Sequence, residues 1–230
     1  MSIFEEPADV FELETERLVL RGWRESDVEP WIAMNADPDV RRYFPGLLSA
    51  EESVEAATRY QQTIATHGFG LYAVECRGHL PVLPRGESET NTDRSLPEEP
   101  AGFDPHVVFL EPGTFLGFIG LTPMNGAVPS LADGTAIEWE IGWRLRSEAW
   151  GQGLATEGAS AVLDYAFGIE RFPIVGSYTT RENTPSIAVM KRIGLSHTAD
   201  FINEALPDSH RECVLYSMTR DRWMRTLHAV

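Results

Sequence analysis

The chain has 230 residues, of which 43% are hydrophobic and 10% aromatic, so it can bury a sizeable core. No apolar run reaches the roughly eighteen residues that a transmembrane helix needs. Nineteen basic and 35 acidic residues give a formal charge of −16. Such a surface repels the phosphates of nucleic acid and of anionic membranes, which argues against both as partners. The charge suits a cationic partner such as an amine, although solubility alone explains it equally well.

Compartment and domain count follow from three simple features. Residues 1–18 (MSIFEEPADVFELETERL) are acidic and lack the basic-then-apolar pattern of a signal peptide. Cys76 and Cys213 both lie in strand-like runs, where we expect buried free thiols and no disulfide. These features predict a cytoplasmic protein, and the length predicts a single domain over residues 1–230. No spacing indicates a metal site, and no nucleophile triad is evident.

The first half of the chain mixes strands and helices. Ser49 and Glu52 form a capping box at the start of a helix that ends before Gly68. In chain order we expect a strand at 13–21, a helix from 26 to about 37, an aromatic connection at 40–46, a helix at 50–67, and strands at 69–76 and 115–121.

Residues 77–113 interrupt this order between the second and third strands. The segment is rich in Pro, Glu, Ser and Thr and holds little to bury, so we expect a surface insertion. Its apolar run 106–110 is the part that predicts an added strand.

Residues 137–168 (IEWEIGWRLRSEAWGQGLATEGASAVLDYAFG) organise the rest of the chain. Apolar residues alternate with polar ones up to Leu145, which predicts a strand, and recur at helical spacing from Leu154, with Gly168 as a plausible stop. Gly151 and Gly153 lie between the two elements. Glycines permit a tight turn and close ligand approach, and the unpaired N–H groups at a helix start attract anions. The turn therefore predicts a phosphate site.

Two familiar phosphate loops fit this turn poorly. A Walker loop requires Lys and Ser or Thr after its last glycine, and Gly153 is followed by Leu154 and Ala155. A dinucleotide fingerprint requires a small residue where Thr156 stands and a buried apolar strand before the turn. It also needs an acid at the end of the next strand, whereas Glu170 precedes that strand.

After the central helix we expect a strand at 174–179 and a helix capped by Asn183, with Pro185 tolerated in its first turn. Gly194 ends that helix. Strands at 196–203 and 213–218 complete the sheet.

Three runs, TERLVLR, EIGWRL…WGQGLATEG and ENTPSIAVMKRIGL, resemble the GNAT acetyltransferase superfamily, in its RimJ/RimL-like ribosomal-protein-alanine group. Gly151 and Gly153 match the small positions of its pyrophosphate loop, whereas Glu148 departs from the usual Gln or Arg. The resemblance covers most of the chain outside the insertion. It implies an α/β (α+β) GNAT fold with a mixed, mainly antiparallel sheet of about seven strands, about four helices and a V-shaped splay between strands 4 and 5.

The resemblance also implies acetyl-CoA as co-substrate, with no metal. Backbone groups of the central strand would bind pantetheine and polarise the acyl carbonyl. The side-chain amide of Asn183 is a further pantetheine ligand, because it can donate and accept. The implied CoA-binding residues are Ile141, Trp143, Leu145, Arg146, Gly151, Gln152, Gly153, Leu154, Ala155, Thr156, Asn183 and Ser186.

An amine acceptor is protonated at neutral pH, so acetyl transfer needs a base. Glu140 and Glu138 share one strand face, and we prefer Glu140 because it lies in the family's E-I-G-aromatic frame. Alternatively, both are solvated charges or partners of Arg144. Ser186 is the candidate proton donor or a helix cap, because Met190 stands where many relatives have a tyrosine. By analogy, the acceptor would contact Tyr43, Phe44, Asp208 and His210.

We therefore expect an acetyl-CoA-dependent N-acetyltransferase acting by direct attack in a ternary complex. A protein or peptide N-terminal α-amine is the favoured acceptor. An aminoglycoside, a polyamine or a larger acyl-CoA as substrate is one alternative. A non-catalytic CoA-binding interaction module is another, and a homodimer through the final strands is a further hypothesis.

Overall fold

The computed structural model describes Phe4 and residues 11–83, 108–124 and 128–227. Its strands are β1 (Leu13–Glu14), β2 (Leu18–Arg21), β3 (Leu71–Cys76), β4 (Leu80–Pro81), β5 (Phe109–Leu110), β6 (Phe115–Pro123), β7 (Trp139–Leu145), β8 (Ile174–Thr180), β9 (Ser196–Ile202) and β10 (Glu212–Thr219). Its α-helices are α1 (Val28–Asn35), α2 (Pro38–Arg41), α3 (Ala50–His67), α4 (Leu154–Gly168), α5 (Thr184–Arg192) and α6 (Arg220–Leu227).

Eight of these strands form one sheet in the order β1-β2-β3-β6-β7-β8-β10-β9, and β4 pairs with β5 separately. All neighbours in the large sheet are antiparallel except β7 and β8, which are parallel. The predicted α/β class with a mixed, mainly antiparallel sheet is confirmed. The described residues contain ten strands, eight of them in the large sheet, and six α-helices, against the expected seven strands and four helices.

The helices cover both faces of the sheet, as neighbouring residues of β6 show. Phe118 contacts the rings of Trp31 in α1 and Tyr60 in α3. Ile119 packs against α4, where a Cβ added to Gly158 would lie 2.5 Å from its side chain. Because successive strand residues point to opposite faces, α1 and α3 cover one face and α4 the other. The core is therefore a three-layer arrangement with the sheet in the middle.

The pairing between β7 and β8 is very short. It comprises a single register position, with Glu140 opposite Gly176. β8 instead pairs with β10 along its whole length, from Thr180 to Ile174. The two parallel strands therefore separate beyond Glu140, as expected for the V-shaped splay. We call this region the β7–β8 fork: the Glu140–Gly176 pair and residues 141–145 beyond it.

Three expectations about local structure are wrong. The single strand at 13–21 is a hairpin of β1 and β2, because a turn closes where the Thr15 N–H donates to the Leu18 carbonyl over 2.9 Å. The helix expected from residue 26 begins with a 3-10 turn, Glu25–Asp27. Gly168 is the last helical residue of α4, and Ile169 caps the helix in right-handed conformation. The capping box at Ser49 and the left-handed Gly68 are confirmed.

The ends of the insertion form the β4–β5 pair, so the apolar run 106–110 contributes a strand at Phe109–Leu110. Residues 84–107 lie outside the described part. Cys76 and Cys213 are both buried and free. Among the helices described, none is long and apolar enough to span a membrane.

Arg21 anchors the N-terminal hairpin in the core. Its guanidinium makes two hydrogen bonds to Asp27, at 2.7 and 2.9 Å, and its Nε donates to Glu75 over 2.6 Å. The side chains of Arg21 and Asp27 are each 2% exposed. A buried charge has lost its hydration and depends on its partner to compensate for that loss. Removing the partner therefore leaves an uncompensated charge and destabilises the fold.

Replacing Asp27 by Asn should therefore lower the free energy of unfolding by about 3 kcal/mol or more. Urea denaturation at pH 7 measures this. The matched control is Arg24→Ala, which removes a guanidinium that is 56% exposed and lies 3.3 Å from Glu75. That exposed pair should contribute less than about 1 kcal/mol. Equal losses in the two variants would contradict the assigned role of the buried pair.

Candidate active site

The loop before α4 presents backbone to solvent. Gly151 and Gly153 are exposed and left-handed, with φ of 74° and 76°. Gly153 caps α4 at its N-terminal end, where helical N–H groups have no intrahelical partner. The macrodipole adds partial positive charge at this end of the helix. A helix start with these two glycines is suited to an anion, which is the site that the glycine spacing predicts.

Arg17 and Glu157 fasten this loop to the N-terminal hairpin. Arg17 Nε donates to Glu157 over 2.7 Å, and its Nη1 donates to the Gln152 carbonyl over 3.0 Å. Thr15 and the Arg17 N–H also donate to Glu157, over 2.6 and 2.9 Å. Burial raises the pKa of Glu157, but these hydrogen bonds outweigh it and the pKa is lowered. The ionised carboxylate therefore holds the first turn of α4 in place, a contact that sequence spacing did not reveal.

Thr156 supplies an unused polar group beside the glycines. Its hydroxyl oxygen is buried and has no hydrogen-bond partner among the described residues. Burying such a group unpaired is unfavourable, so the position is suited to a hydrogen bond from its hydroxyl to a bound anion. Leu154 is buried under the loop, while Gln152 and Ala155 are partly exposed. The predicted loop residues are thus contiguous in space as in sequence.

Backbone donors of β7 face the fork. The N–H groups of even-numbered residues point to β6, because Arg146 N–H donates to the Leu116 carbonyl and alternate residues follow the same pattern. The N–H groups of Trp143 and Leu145 therefore point towards β8. They lie beyond the last β7–β8 pair, whereas Ile141 adjoins it. Two donors on alternate residues that face away from β6 and lie beyond the β7–β8 pair are suited to a pantetheine amide and an acyl carbonyl.

Arg146 balances the acid that departs from the family loop. Its guanidinium donates to both oxygens of Glu148, at 2.8 and 3.2 Å. The hydrogen bonds from Arg146 lower the pKa of Glu148 to about 2, although partial burial opposes the shift. Glu148 is thus ionised and its charge is paired. Arg146 therefore directs its guanidinium at Glu148, whereas the resemblance implied a CoA contact.

Glu140 lies at the apex of the fork. Its carboxylate accepts the backbone N–H of Tyr178, a donor that would bond to β7 if the two strands stayed paired. Burial raises the pKa of Glu140 to about 8, and the hydrogen bond only partly offsets this. Arg144 does not pair with it, since its Nη1 donates to Asn35 over 2.9 Å. Glu140 is therefore a carboxyl group poised to exchange a proton near neutral pH.

Two neighbours of Glu140 differ in their surroundings. Glu138, one pleat away on the same strand face, is exposed. Tyr178 is partly buried, and its ring contacts the Phe201 ring edge to face. Its side chain also forms a hydrogen bond with the Asn203 side chain. Burial, and then the charge of Glu140, raise the pKa of Tyr178 to about 12, so its hydroxyl keeps its proton. Nothing in the sequence singles out Tyr178, because its closeness to Glu140 depends on the parallel pairing of β7 with β8.

The start of α5 carries the other predicted polar residues. Asn183 caps the helix, accepting the Ser186 N–H over 3.3 Å, and its amide nitrogen donates to Thr179 over 2.8 Å. Asn183 is 9% exposed, and both the oxygen and the nitrogen of its side-chain amide have partners within the protein. Ser186 is partly buried. Met190 is fully buried and offers no proton.

The predicted acceptor residues lie on two elements. Tyr43 and Phe44 follow α2, and Phe44 contacts β7 because the Arg144 guanidinium lies 4.1 Å from its ring centre. Asp208 and His210 lie in the turn between β9 and β10. Asp208 is 91% exposed and pairs with Arg211 over 3.1 Å. The structure therefore connects Phe44 to the site strand, whereas Asp208 points to solvent.

No group of three or more His, Cys, Asp or Glu side chains is arranged to hold a metal ion in the part of the chain described. The candidate site brings together backbone donors, one carboxyl group with a raised pKa and hydroxyl groups.

The chain is similar to several known proteins. A relative from Aspergillus fumigatus, named FsC-acetyl coenzyme A-N(2)-transacetylase, is 35% identical over 130 residues, which are 54% of this chain and 53% of that protein. The chain thus spans about half the length of this curated relative. A GNAT-family acetyltransferase structure from Bacillus anthracis covers 92% of this chain and 99% of its own, with a TM-score of 0.63 and 20% identity.

A structure of RimL, a ribosomal L7/L12 α-N-protein acetyltransferase in complex with coenzyme A, matches 91% of this chain and 98% of its own, with a TM-score of 0.58. At 14% identity it shows a shared fold and no more. The match to the family itself is broader, since residues 17–196 correspond to the acetyltransferase (GNAT) domain. The prediction of an acetyl-CoA-dependent N-acetyltransferase agrees with this match. The chain belongs to the GNAT acetyltransferase family.

Proposed function

We propose that this protein transfers the acetyl group of acetyl-CoA to a primary amine, with Glu140 as the base. The observation that carries the proposal is the position of Glu140 at the apex of the fork, with its pKa raised to about 8 by burial. A general base works best when its pKa is close to the pH at which it operates. An ordinary solvated glutamate, with a pKa of about 4.3, would be a weak base towards an ammonium group.

The chain's own groups would hold acetyl-CoA along the fork and the α4 loop. Residues 151–156 would present N–H groups to the pyrophosphate, supported by the Thr156 hydroxyl, which has no partner in the described residues. The N–H groups of Trp143 and Leu145 would bind pantetheine and the acyl oxygen. They are preset donors, so they need no reorganisation as charge develops on that oxygen.

The reaction proposed is direct attack. Glu140 takes a proton from the ammonium group of the acceptor, and the free amine nitrogen bonds to the thioester carbon. The carbon–sulfur bond breaks, the attacking nitrogen gives up its second proton as the amide forms, and the thiolate takes up a proton. Ser186, in the first turn of α5 and partly buried, is the donor that the sequence predicts. Tyr178 is a second candidate, because its raised pKa keeps the hydroxyl protonated.

The acceptor we favour is a protein or peptide N-terminal α-amine, as in the RimJ/RimL-like group. An α-amine has a pKa near 8, so a base such as Glu140 suffices to deprotonate it. The named activity of the Aspergillus fumigatus relative, an acetyl coenzyme A N(2)-transacetylase, supports amine acetylation in general. A small-molecule amine or a larger acyl-CoA remains the alternative, and competition between acceptors would distinguish them. An interaction module without turnover would bind acetyl-CoA and release no thiol.

A homodimer is part of the proposal. β9 is an edge strand of the large sheet, and Ile202 on it is 48% exposed. An edge strand offers unpaired backbone groups to a second copy. Light scattering during size-exclusion chromatography would decide between monomer and dimer.

Glu140→Gln should lower kcat for an amine acceptor by about 100-fold or more, because it removes a general base without changing the side chain's size. The acetyl-CoA dissociation constant should change by less than about threefold, since CoA contacts are mainly to backbone. Thiol release and calorimetry measure the two quantities. Glu138→Gln is the matched control and should be close to wild type. Unchanged kcat in Glu140→Gln would remove Glu140 from the role of base.

The pH dependence of kcat/KM should report the same group. The ionised form of Glu140 is the active base, so kcat/KM should rise with pH and level off above about 8. The acceptor's own amine also titrates in this range. Two acceptors of different amine pKa separate the effects, because the Glu140 limb stays fixed and the amine limb moves. If the whole profile moves with the amine, Glu140 does not limit the rate.

Gly153→Ala should weaken acetyl-CoA affinity by about tenfold, because the added Cβ would occupy the side of the loop that we propose meets the pyrophosphate. The left-handed conformation of Gly153, with φ of 76°, adds a stability cost of roughly 1–2 kcal/mol. Gly134→Ala is the matched control. Gly134 also has a positive φ, 85°, and a Cβ there meets nothing within 4 Å. It should lose similar stability and keep its affinity for acetyl-CoA. Equal affinities in the two variants would contradict the pyrophosphate assignment.

A further inference from the structure

Two arginines contact the same phenylalanine ring on the face opposite α4. The Arg144 guanidinium of β7 lies 4.1 Å from the centre of the Phe44 ring, and that of Arg41 in α2 lies 4.9 Å from it. Arg144 also lies within 5.6 Å of the Trp31 ring. Two cations are thus held together by aromatic faces. We call Arg41, Phe44 and Arg144 the double-arginine cluster.

Neither arginine has a carboxylate partner within the described ranges. Arg144 Nη1 donates to the Asn35 side-chain oxygen over 2.9 Å, and its Nε is buried without a hydrogen-bond partner. Arg41 is 7% exposed and its Nε donates to the Gly46 carbonyl over 2.8 Å. Most other buried or half-buried arginines of this acidic chain pair with an acid. An unpaired buried guanidinium N–H is a group awaiting an acceptor.

Burial and their mutual repulsion disfavour the charged forms of both arginines. Burial and, to a smaller extent, the charge of Arg41 lower the pKa of Arg144 to about 10, while Tyr60 opposes the shift. Burial also lowers the pKa of Arg41, against the opposing effects of Tyr60 and Glu52. Glu52 itself accepts the Ser49 N–H in the capping box of α3. The two cations therefore repel each other in a partly dry environment, a cost that a bound anion would remove.

We propose that the double-arginine cluster is an anion-binding subsite for the acceptor, taking a carboxylate or phosphate group carried by the amine substrate. The inference rests on the proposed function and specifies its acceptor. Glu140 and Arg144 share one face of β7, because even-numbered residues of a strand point the same way. Four residues at about 3.3 Å each separate their Cα atoms by about 13 Å. Gly142 lies between them, and a Cβ there would meet side-chain atoms only at 3.9 and 4.0 Å.

This spacing selects a class of acceptor. The amine would lie at Glu140 and its anionic group on the order of 10 Å away, given the strand rise. A free amino acid is too short to reach both with its α-amine. A peptide whose second or third residue is acidic or phosphorylated has the required reach.

The first test measures acceptor preference in matched pairs. Amidated Ala-Glu is compared with Ala-Gln, and amidated Ala-phosphoserine with Ala-Ser, by thiol release with acetyl-CoA. The anionic member should have a kcat/KM at least tenfold higher, since a charge-assisted hydrogen bond discriminates by this order. Arg144→Met keeps an apolar stem against Phe44 and should reduce the preference to below about twofold. Arg144→Lys, which keeps the charge but loses the planar fork, should be intermediate.

A second test uses the wild-type protein and needs no turnover. The arginine Nε–H signals are followed by proton–nitrogen NMR while glutarate or inorganic phosphate is added, and the Arg144 signal is identified by its loss in Arg144→Met. A saturable shift at millimolar anion supports the subsite, and the more effective anion indicates carboxylate or phosphate as the natural group. No shift overturns it and leaves the cluster as a packing feature.

The two proposals fail in different ways. The protein could bind acetyl-CoA and acetylate amines but show neither an anion preference nor the NMR shift. That result would contradict the anion subsite and support the transferase. If calorimetry detects no acetyl-CoA binding but the NMR shift is seen, the transferase proposal is contradicted and the anion site is supported.

Discussion

Backbone hydrogen bonding between β7 and β8 stops after the Glu140–Gly176 pair, and the position of the candidate site follows from that stop. Strands that part leave donors facing each other across a gap. On the β8 side the Tyr178 N–H is taken by the Glu140 carboxylate. On the β7 side the N–H groups of Trp143 and Leu145 lie beyond the paired position and point towards β8. One interruption thus produces both the donors that we propose for the acyl group and the place of the proposed base beside them.

The charge distribution around the site is selective. Arg17 is neutralised by Glu157, and Arg146 by Glu148, so the cations nearest the α4 loop carry little net charge. The anion attraction of that loop then comes from backbone N–H groups and the helix dipole. Arg41 and Arg144, on the other face of the sheet, keep their charge unpaired by an acid of the described residues. If the proposed sites are correct, acetyl-CoA is held mainly by backbone groups and the acceptor by two arginines, so the two ligands are selected by different interactions.

Local signals predicted the local elements well. The alternation before Leu145 and the helical spacing after Leu154 gave the central strand and helix, and the Ser49–Glu52 pair gave a helix start. The N-terminal strand was predicted as one piece, because the turn at Thr15 depends on Glu157, which is remote in sequence. The helix end predicted at Gly168 was also wrong, because Gly168 is the last residue of α4 and Ile169 caps the helix. A glycine near a helix end permits a left-handed cap but does not require one.

The sequence by itself determined most of the elements, the glycine turn and the family, because each depends on residues that are close together in the chain. It also brought Glu140 forward, since the E-I-G-aromatic frame is contiguous. Only the tertiary structure decided that Glu140 lies at the fork and has its pKa raised to about 8, because burial there depends on β8. The closeness of Tyr178 to Glu140, and that of Arg41 to Arg144, is likewise evident only in the folded chain. Such groups are brought together across elements by sheet pairing and packing, and no pattern along the chain encodes their distance.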